Sequence, residues 1–255
     1  VSKIAQAFSD GKAFIPFVTG GDPDIETTVN LLFALQDAGA NAIEIGIPFS
    51  DPVAEGPVIE AASGRALSNG CTVDKLFDMV GRIREEIMVP ILFMTYYNPI
   101  FSYGTDRFLA RCAQAGLDGL IVPDLPYEER EELYQPCRSH DLELISLIAP
   151  TTGERIDEIA RNSSGFLYCV SSLGVTGMRS VIDDSAKKMI AQVRAVSDIP
   201  CAVGFGISTP QQAKEMVKFA DGVIVGSAIV KIVAEHGKGC VKPVFQLARS
   251  IKEVL

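Results

Sequence analysis

Histidine is scarce in this sequence: 255 residues carry two, His140 and His236. Neither stands in an H-E-x-x-H or any Cys/His ligand spacing, so no metal site is expected and metal-dependent aldol chemistry is disfavoured. No lysine falls at the end of a predicted strand, which disfavours a Schiff-base mechanism. The six cysteines are scattered without a C-x-x-C pair, several in apolar contexts. Ordinary buried thiols and a reducing cytoplasm are therefore expected. No apolar run approaches the ~20 residues that span a bilayer, and the N-terminal segment lacks the apolar core of a signal peptide. The net charge is −9 with no basic cluster. Nucleic acid and anionic membrane are thus poor partners. No Pro/Gly/Ser-rich linker or charge block divides the chain, so residues 1–255 are expected to form a single domain.

What the sequence does have is a recurring unit. "AGANAIEIG" (38–46), "AGLDGLIVPD" (115–124), "SSGFLYCVSS" (163–172) and "FADGVIVGSA" (219–228) each read as a helix end, a small turn and a short apolar run. Runs without alternation suit strands buried on both faces. Residues 13–19, 90–95, 142–148 and 200–206 bring the candidates to eight. Amphipathic stretches lie between them at 25–37, 73–86, 105–114, 127–138, 153–161, 185–195 and 209–218. Eight β-then-α units in this length predict a closed (β/α)₈ TIM barrel, with an extra N-terminal helix ahead of the first strand. A doubly wound open sheet is the alternative, but the first strand is not followed by G-x-G-x-x-G.

One carboxylate sits inside an apolar run. In "NAIEIGIPFSDPVAEGP" (41–57), Glu44 interrupts Ala42, Ile43, Ile45 and Ile47. With Ile43 and Ile45 facing the helices, Ala42, Glu44 and Gly46 face the lumen. Gly46 is then expected to leave space above Glu44. A carboxyl group there is either a hydrogen-bonded core residue or a functional group of perturbed pKa. Barrel active sites lie at the C-terminal strand ends, where the loop bearing Asp51 and Glu55 begins. "LGVTG" (173–177), "GFGIST" (204–209) and "VGSAIV" (225–230) place glycines at three consecutive strand ends. Gly226 and Ser227 open a short helix whose N-terminus suits a phosphate. The long connection at 171–186, with two glycines, is expected to act as a lid.

"PFVTGGDPD", "IEIGIPFSDPVAEGPVIEAA", "GLIVPDLPYEE", "GVTG", "VGFGIS" and "GSAIVK" occur in order between about residues 13 and 232. Together they resemble the tryptophan synthase α-subunit family. The resemblance implies a TIM barrel of tryptophan biosynthesis that cleaves indole-3-glycerol phosphate into indole and glyceraldehyde 3-phosphate. It implies no cofactor in this chain and a β subunit, carrying pyridoxal phosphate, in an α₂β₂ complex. Glu44 matches the family's general acid/base. The family's second carboxylate, which accepts the indole N–H, is an aspartate; Glu55 stands there in this sequence, a departure that leaves the rate open. Phe17, Tyr96 and Tyr168 match residues around the indole. Gly177, Phe205, Gly206, Gly226 and Ser227 match the phosphate cradle. Thr176 matches a residue that contacts the loop carrying the second carboxylate, and Asp51 and Pro52 lie in the loop that in this family faces the β subunit. Ser172 stands where some members carry arginine. Two other readings stay open: a catalytically weak activator of the β subunit, and a stand-alone lyase that releases indole.

Overall fold

A computed structural model of the chain describes residues 2–170, 184–204 and 206–255. Its strands are β1 (Ala13–Thr19), β2 (Ile43–Gly46), β3 (Ile91–Met94), β4 (Gly119–Ile121), β5 (Glu143–Ile148), β6 (Leu167–Val170), β7 (Cys201–Gly204) and β8 (Gly222–Val225). Each pairs in parallel with the next, and β8 returns to β1, closing the expected eight-stranded barrel. Burial on both faces explains the uninterrupted apolar character of the strands: all seven residues of β1 are buried.

The helices are α1 (Lys3–Gln6), α2 (Ile25–Asp37), α3 (Pro57–Ser68), α4 (Val73–Ile83), α5 (Tyr97–Tyr103), α6 (Thr105–Ala115), α7 (Glu131–Ser139), α8 (Ile156–Asn162), α9 (Asp184–Arg194), α10 (Pro210–Met216), α11 (Ser227–His236) and α12 (Val241–Lys252). Side-chain caps start several of them. Asp24 accepts from the Thr27 amide at 2.7 Å ahead of α2, and Thr209 and Gln212 form a reciprocal capping box on α10. Three helices lie outside the expected segments. α3 begins inside the Gly/Pro-rich loop because Pro57, at its first position, has a backbone angle already suited to a helix. α5 starts directly after β3, its Tyr97 amide donating to Asp124 Oδ1 at 2.9 Å. α12 packs its apolar face, Val244, Ala248 and Ile251, into the outer core. The stretch expected to be helical at 127–138 divides into a 3₁₀ turn at Tyr127–Glu129 and α7.

The core has two layers. Ile43, Ile45 and Ile47 pack outward among the helices, whereas Ala42 joins Ala13, Ile15, Leu92, Ile121 and Ile145 in the lumen. α1 closes the N-terminal end: Ile4 belongs to the lumen cluster, and Phe8 lies 5.4 Å from Phe166 ring to ring. The register pairs Phe17 with Glu44, Thr19 with Gly46 and Glu44 with Leu92, so Glu44 points into the lumen as expected.

The expectation about Gly46 needs correction. The volume it leaves is taken by a ring, since a Cβ at Gly46 would stand 2.5 Å from Phe17 Cζ. Its missing side chain thus sets how Phe17 lies beside Glu44. Gly46→Ala should cost about 1–3 kcal/mol through overpacking. Gly64, exposed within α3, would place a Cβ in open space, so Gly64→Ala should stabilise by about 0.5–1 kcal/mol through helix propensity. Denaturant unfolding checks both, and a neutral Gly46→Ala would contradict this packing.

Candidate active site

A cavity of about 1050 Å³ opens at the C-terminal ends of the strands. It brings together seven of the residues singled out in the sequence: Phe17, Glu55, Tyr96, Tyr168, Gly206, Gly226 and Ser227. Glu44 lies in register with Phe17, fully buried. Neither of its carboxyl oxygens has a hydrogen-bond partner among the described residues. Burial therefore holds its pKa well above the ordinary carboxylate value. Tyr168 is raised as well, by burial first and then by the Glu44 charge, which places the two groups within electrostatic reach. Gly204 gives that tyrosine room, since a Cβ there would meet its hydroxyl at 2.6 Å.

Glu55 is half-buried on the loop between β2 and α3. Burial, then the neighbouring Glu60 carboxylate, pushes its pKa up to about 7. Its Oε2 is buried without a partner among the described residues. Tyr96, 2% exposed, accepts a hydrogen bond from the Ala54 amide at 3.0 Å. Glu55 thus lines the rim of a largely apolar chamber, and Glu44 is buried in the barrel wall in register with Phe17, which lines it.

Gly206, Gly226 and Ser227 line the same cavity just beyond the ends of β7 and β8. Gly226 caps α11 without a side-chain hydrogen bond. The first amides of that helix are therefore available to an anion. Lys231, one turn into α11, also lines the cavity. Thr176 and Gly177, the expected lid with Ser172, and Phe205 lie outside the described residues. Asp51 is exposed and Pro52 half-buried on the β2–α3 loop, beside Val53, which is 80% exposed.

Several lining residues escaped the sequence reading: Met94, Val170, Ile224 and Ile59. For the first three a signal existed. Met94 is two before Tyr96, Val170 two after Tyr168, and Ile224 two before Gly226, so each shares the inward face of its neighbour. Ile59 depended on recognising α3.

A closed parallel barrel with one perturbed carboxyl group buried in its wall and a second at its C-terminal mouth defines the chain as a barrel enzyme equipped for acid–base chemistry. Comparison with known proteins makes this specific. Residues 4–254 match the family model described as tryptophan synthase alpha chain. The tryptophan synthase alpha chain of Lacticaseibacillus casei is 49% identical over 236 residues, 92% of this chain and 89% of that protein. The crystal structure of subunit alpha from Legionella pneumophila str. Paris superposes with TM-score 0.90 at 37% identity, covering 100% of this chain and 98% of that one. A chain of the Pyrococcus furiosus tryptophan synthase complex gives TM-score 0.87 at 36% identity over 95% of this chain and 98% of its own. The chain belongs to the tryptophan synthase alpha chain family. It is a carbon–carbon lyase that cleaves indole-3-glycerol phosphate to indole and glyceraldehyde 3-phosphate.

The buried carboxyl groups give a pH dependence of known sign. Both folded pKa values lie above the ordinary 4.5. The stability they contribute is full below that value and is lost as pH rises toward the folded pKa. The thermal midpoint should therefore fall between pH 5.5 and pH 8, and Glu44→Gln should fall less. Parallel pH profiles for the two proteins would show that Glu44 is not the group held neutral.

Proposed function

We propose that Glu44 is the general acid/base of the cleavage and Glu55 the acceptor of the indole N–H. The observation that carries this reading is the Glu44 carboxyl group, fully buried and unpartnered among the described residues, in register with the cavity-lining Phe17. Cleavage needs a proton on indole C3 and removal of the proton from the adjacent side-chain hydroxyl. A carboxyl group held neutral by burial can do both in turn. Glu44 gives its proton to C3, forming the cationic indolenine. Its carboxylate then takes the hydroxyl proton as the carbon–carbon bond breaks. The aldehyde forms, the bond's electrons return to the ring, and Glu44 ends protonated again. Glu55, ionised when it accepts the ring N–H, stabilises the positive charge of the intermediate. Phe17 and Tyr168 flank the indole, Tyr96 closes its rim, and Gly206, Gly226 and Ser227 take the phosphate, with Gly177 and Phe205 assigned there from the family resemblance.

The natural partner on this reading is a β subunit carrying pyridoxal phosphate, docked against the loop of Asp51 and Pro52 in an α₂β₂ assembly. One solved relative is described as part of a tryptophan synthase complex. The six free cysteines fit a reducing cytoplasm. No helix among the described residues is long and apolar enough to cross a membrane. The whole chain acts as one barrel domain.

Steady-state cleavage in the presence of the β subunit tests the two carboxylates. Glu44→Gln should lower kcat by at least ~10², the lower end of a general acid/base contribution, with KM little changed. Glu55→Gln should also lower kcat strongly, whereas Glu55→Asp should not raise it much. Near-normal turnover by Glu44→Gln would remove the acid/base assignment. A hundredfold gain from Glu55→Asp would favour the weak-activator alternative.

A further inference from the structure

The loop that carries Glu55 has little to hold it. Among the described residues, the hydrogen bonding of 48–55 to another element goes to a single side chain: the Ala54 amide donates to the Tyr96 hydroxyl oxygen at 3.0 Å. The neighbouring Val53 amide is turned toward the same oxygen. Ala54 immediately precedes Glu55, while Asp51, Val53 and Ala54 themselves are exposed and contribute no apolar anchorage.

Tyr96, by contrast, is fixed. It is 2% exposed, and its ring lies 5.4 Å from that of Phe49 at the base of the same loop. It caps α5, whose first amide, Tyr97 N–H, is held by the Asp124 carboxylate from the tip of β4. The hydroxyl is thus a point on the barrel rim whose position the β3 and β4 ends determine. Burial pushes its pKa up to about 12, with Glu55 among the charges acting on it, so it stays a neutral hydroxyl and a competent acceptor.

We propose that Tyr96 is a positioning residue for the cleavage: its hydroxyl oxygen holds the Ala54 amide and thereby sets where the Glu55 carboxylate meets the indole N–H. The proposal rests on the reading of Glu55 given above. A carboxylate on a longer side chain has more positions to choose from, and a misplacement of about 1 Å can cost ~10² in rate. A backbone tether one residue away is an economical restraint. It separates two functions in one residue: the ring lines the cavity, and the hydroxyl acts on the loop.

Tyr96→Phe keeps the ring and removes the tether. The experiment is a double-mutant cycle on indole-3-glycerol phosphate cleavage in the presence of the β subunit, with Tyr96→Phe, Glu55→Gln and the double variant. Tyr96→Phe should lower kcat by about tenfold, with KM within about twofold and the thermal midpoint little moved. In the Glu55→Gln background the same change should alter kcat by less than about twofold, because the group it positions is gone. An equal loss in both backgrounds, a raised KM with unchanged kcat, or wild-type kcat would each overturn the proposal. Wild-type kcat in Glu55→Gln alone would instead mark the failure of the Glu55 reading, and the positioning role would fall with it.

Discussion

A fully buried carboxyl group with no hydrogen-bond partner among the described residues is the constraint on which this barrel is arranged. Glu44 is fully buried, and ionising it there would cost several kcal/mol even after the surroundings relax. The fold therefore keeps it as an acid. Pairing with Phe17 on one side and Leu92 on the other fixes its height in the lumen. The apolar layer beneath it is closed by Ile4 and Phe166. Gly46 admits the Phe17 ring beside it. Secondary structure, packing and electrostatics meet here: the two-residue period of β2 points the group inward, lumen packing desolvates it, and desolvation raises its pKa well above the ordinary carboxylate value.

The second carboxyl group shows the opposite design. Glu55 sits on a loop, half-exposed, with a pKa pushed only to about 7. Two chemically identical groups are thus separated by environment, the deep one raised further by full burial and the rim one raised to about 7, which suits the acid/base and electrostatic roles proposed for them. Their mechanical support differs as well. Glu44 is held by two parallel ladders; Glu55, among the described residues, by the chain on either side and the engagement of its neighbouring backbone by the Tyr96 hydroxyl.

Much of this was legible in the sequence. The strands could be found because burial on both faces leaves short apolar runs, and Glu44 stood out because nothing else in its run was polar. What stayed hidden depends on contacts between distant segments. The start of α3 was available in principle, from Pro57, but the surrounding glycine and proline read as loop. The ring that fills the space at Gly46 belongs to β1, 29 residues earlier by number, and no local pattern announces it. The engagement of the Tyr96 hydroxyl by Ala54 spans 42 residues. Periodicity identifies which side chains face inward; it carries no information about which of them touch.

The account stands on Glu44 being a neutral acid in the resting protein, and vibrational spectroscopy reads that directly. Infrared difference spectra of protein carrying ¹³C-carboxyl glutamate, compared with Glu44→Gln, isolate the carbonyl stretch of this one group. A protonated-carboxyl band should be present at pH 7 and absent in Glu44→Gln. A Glu44 signal found only as carboxylate at pH 6 would contradict the account.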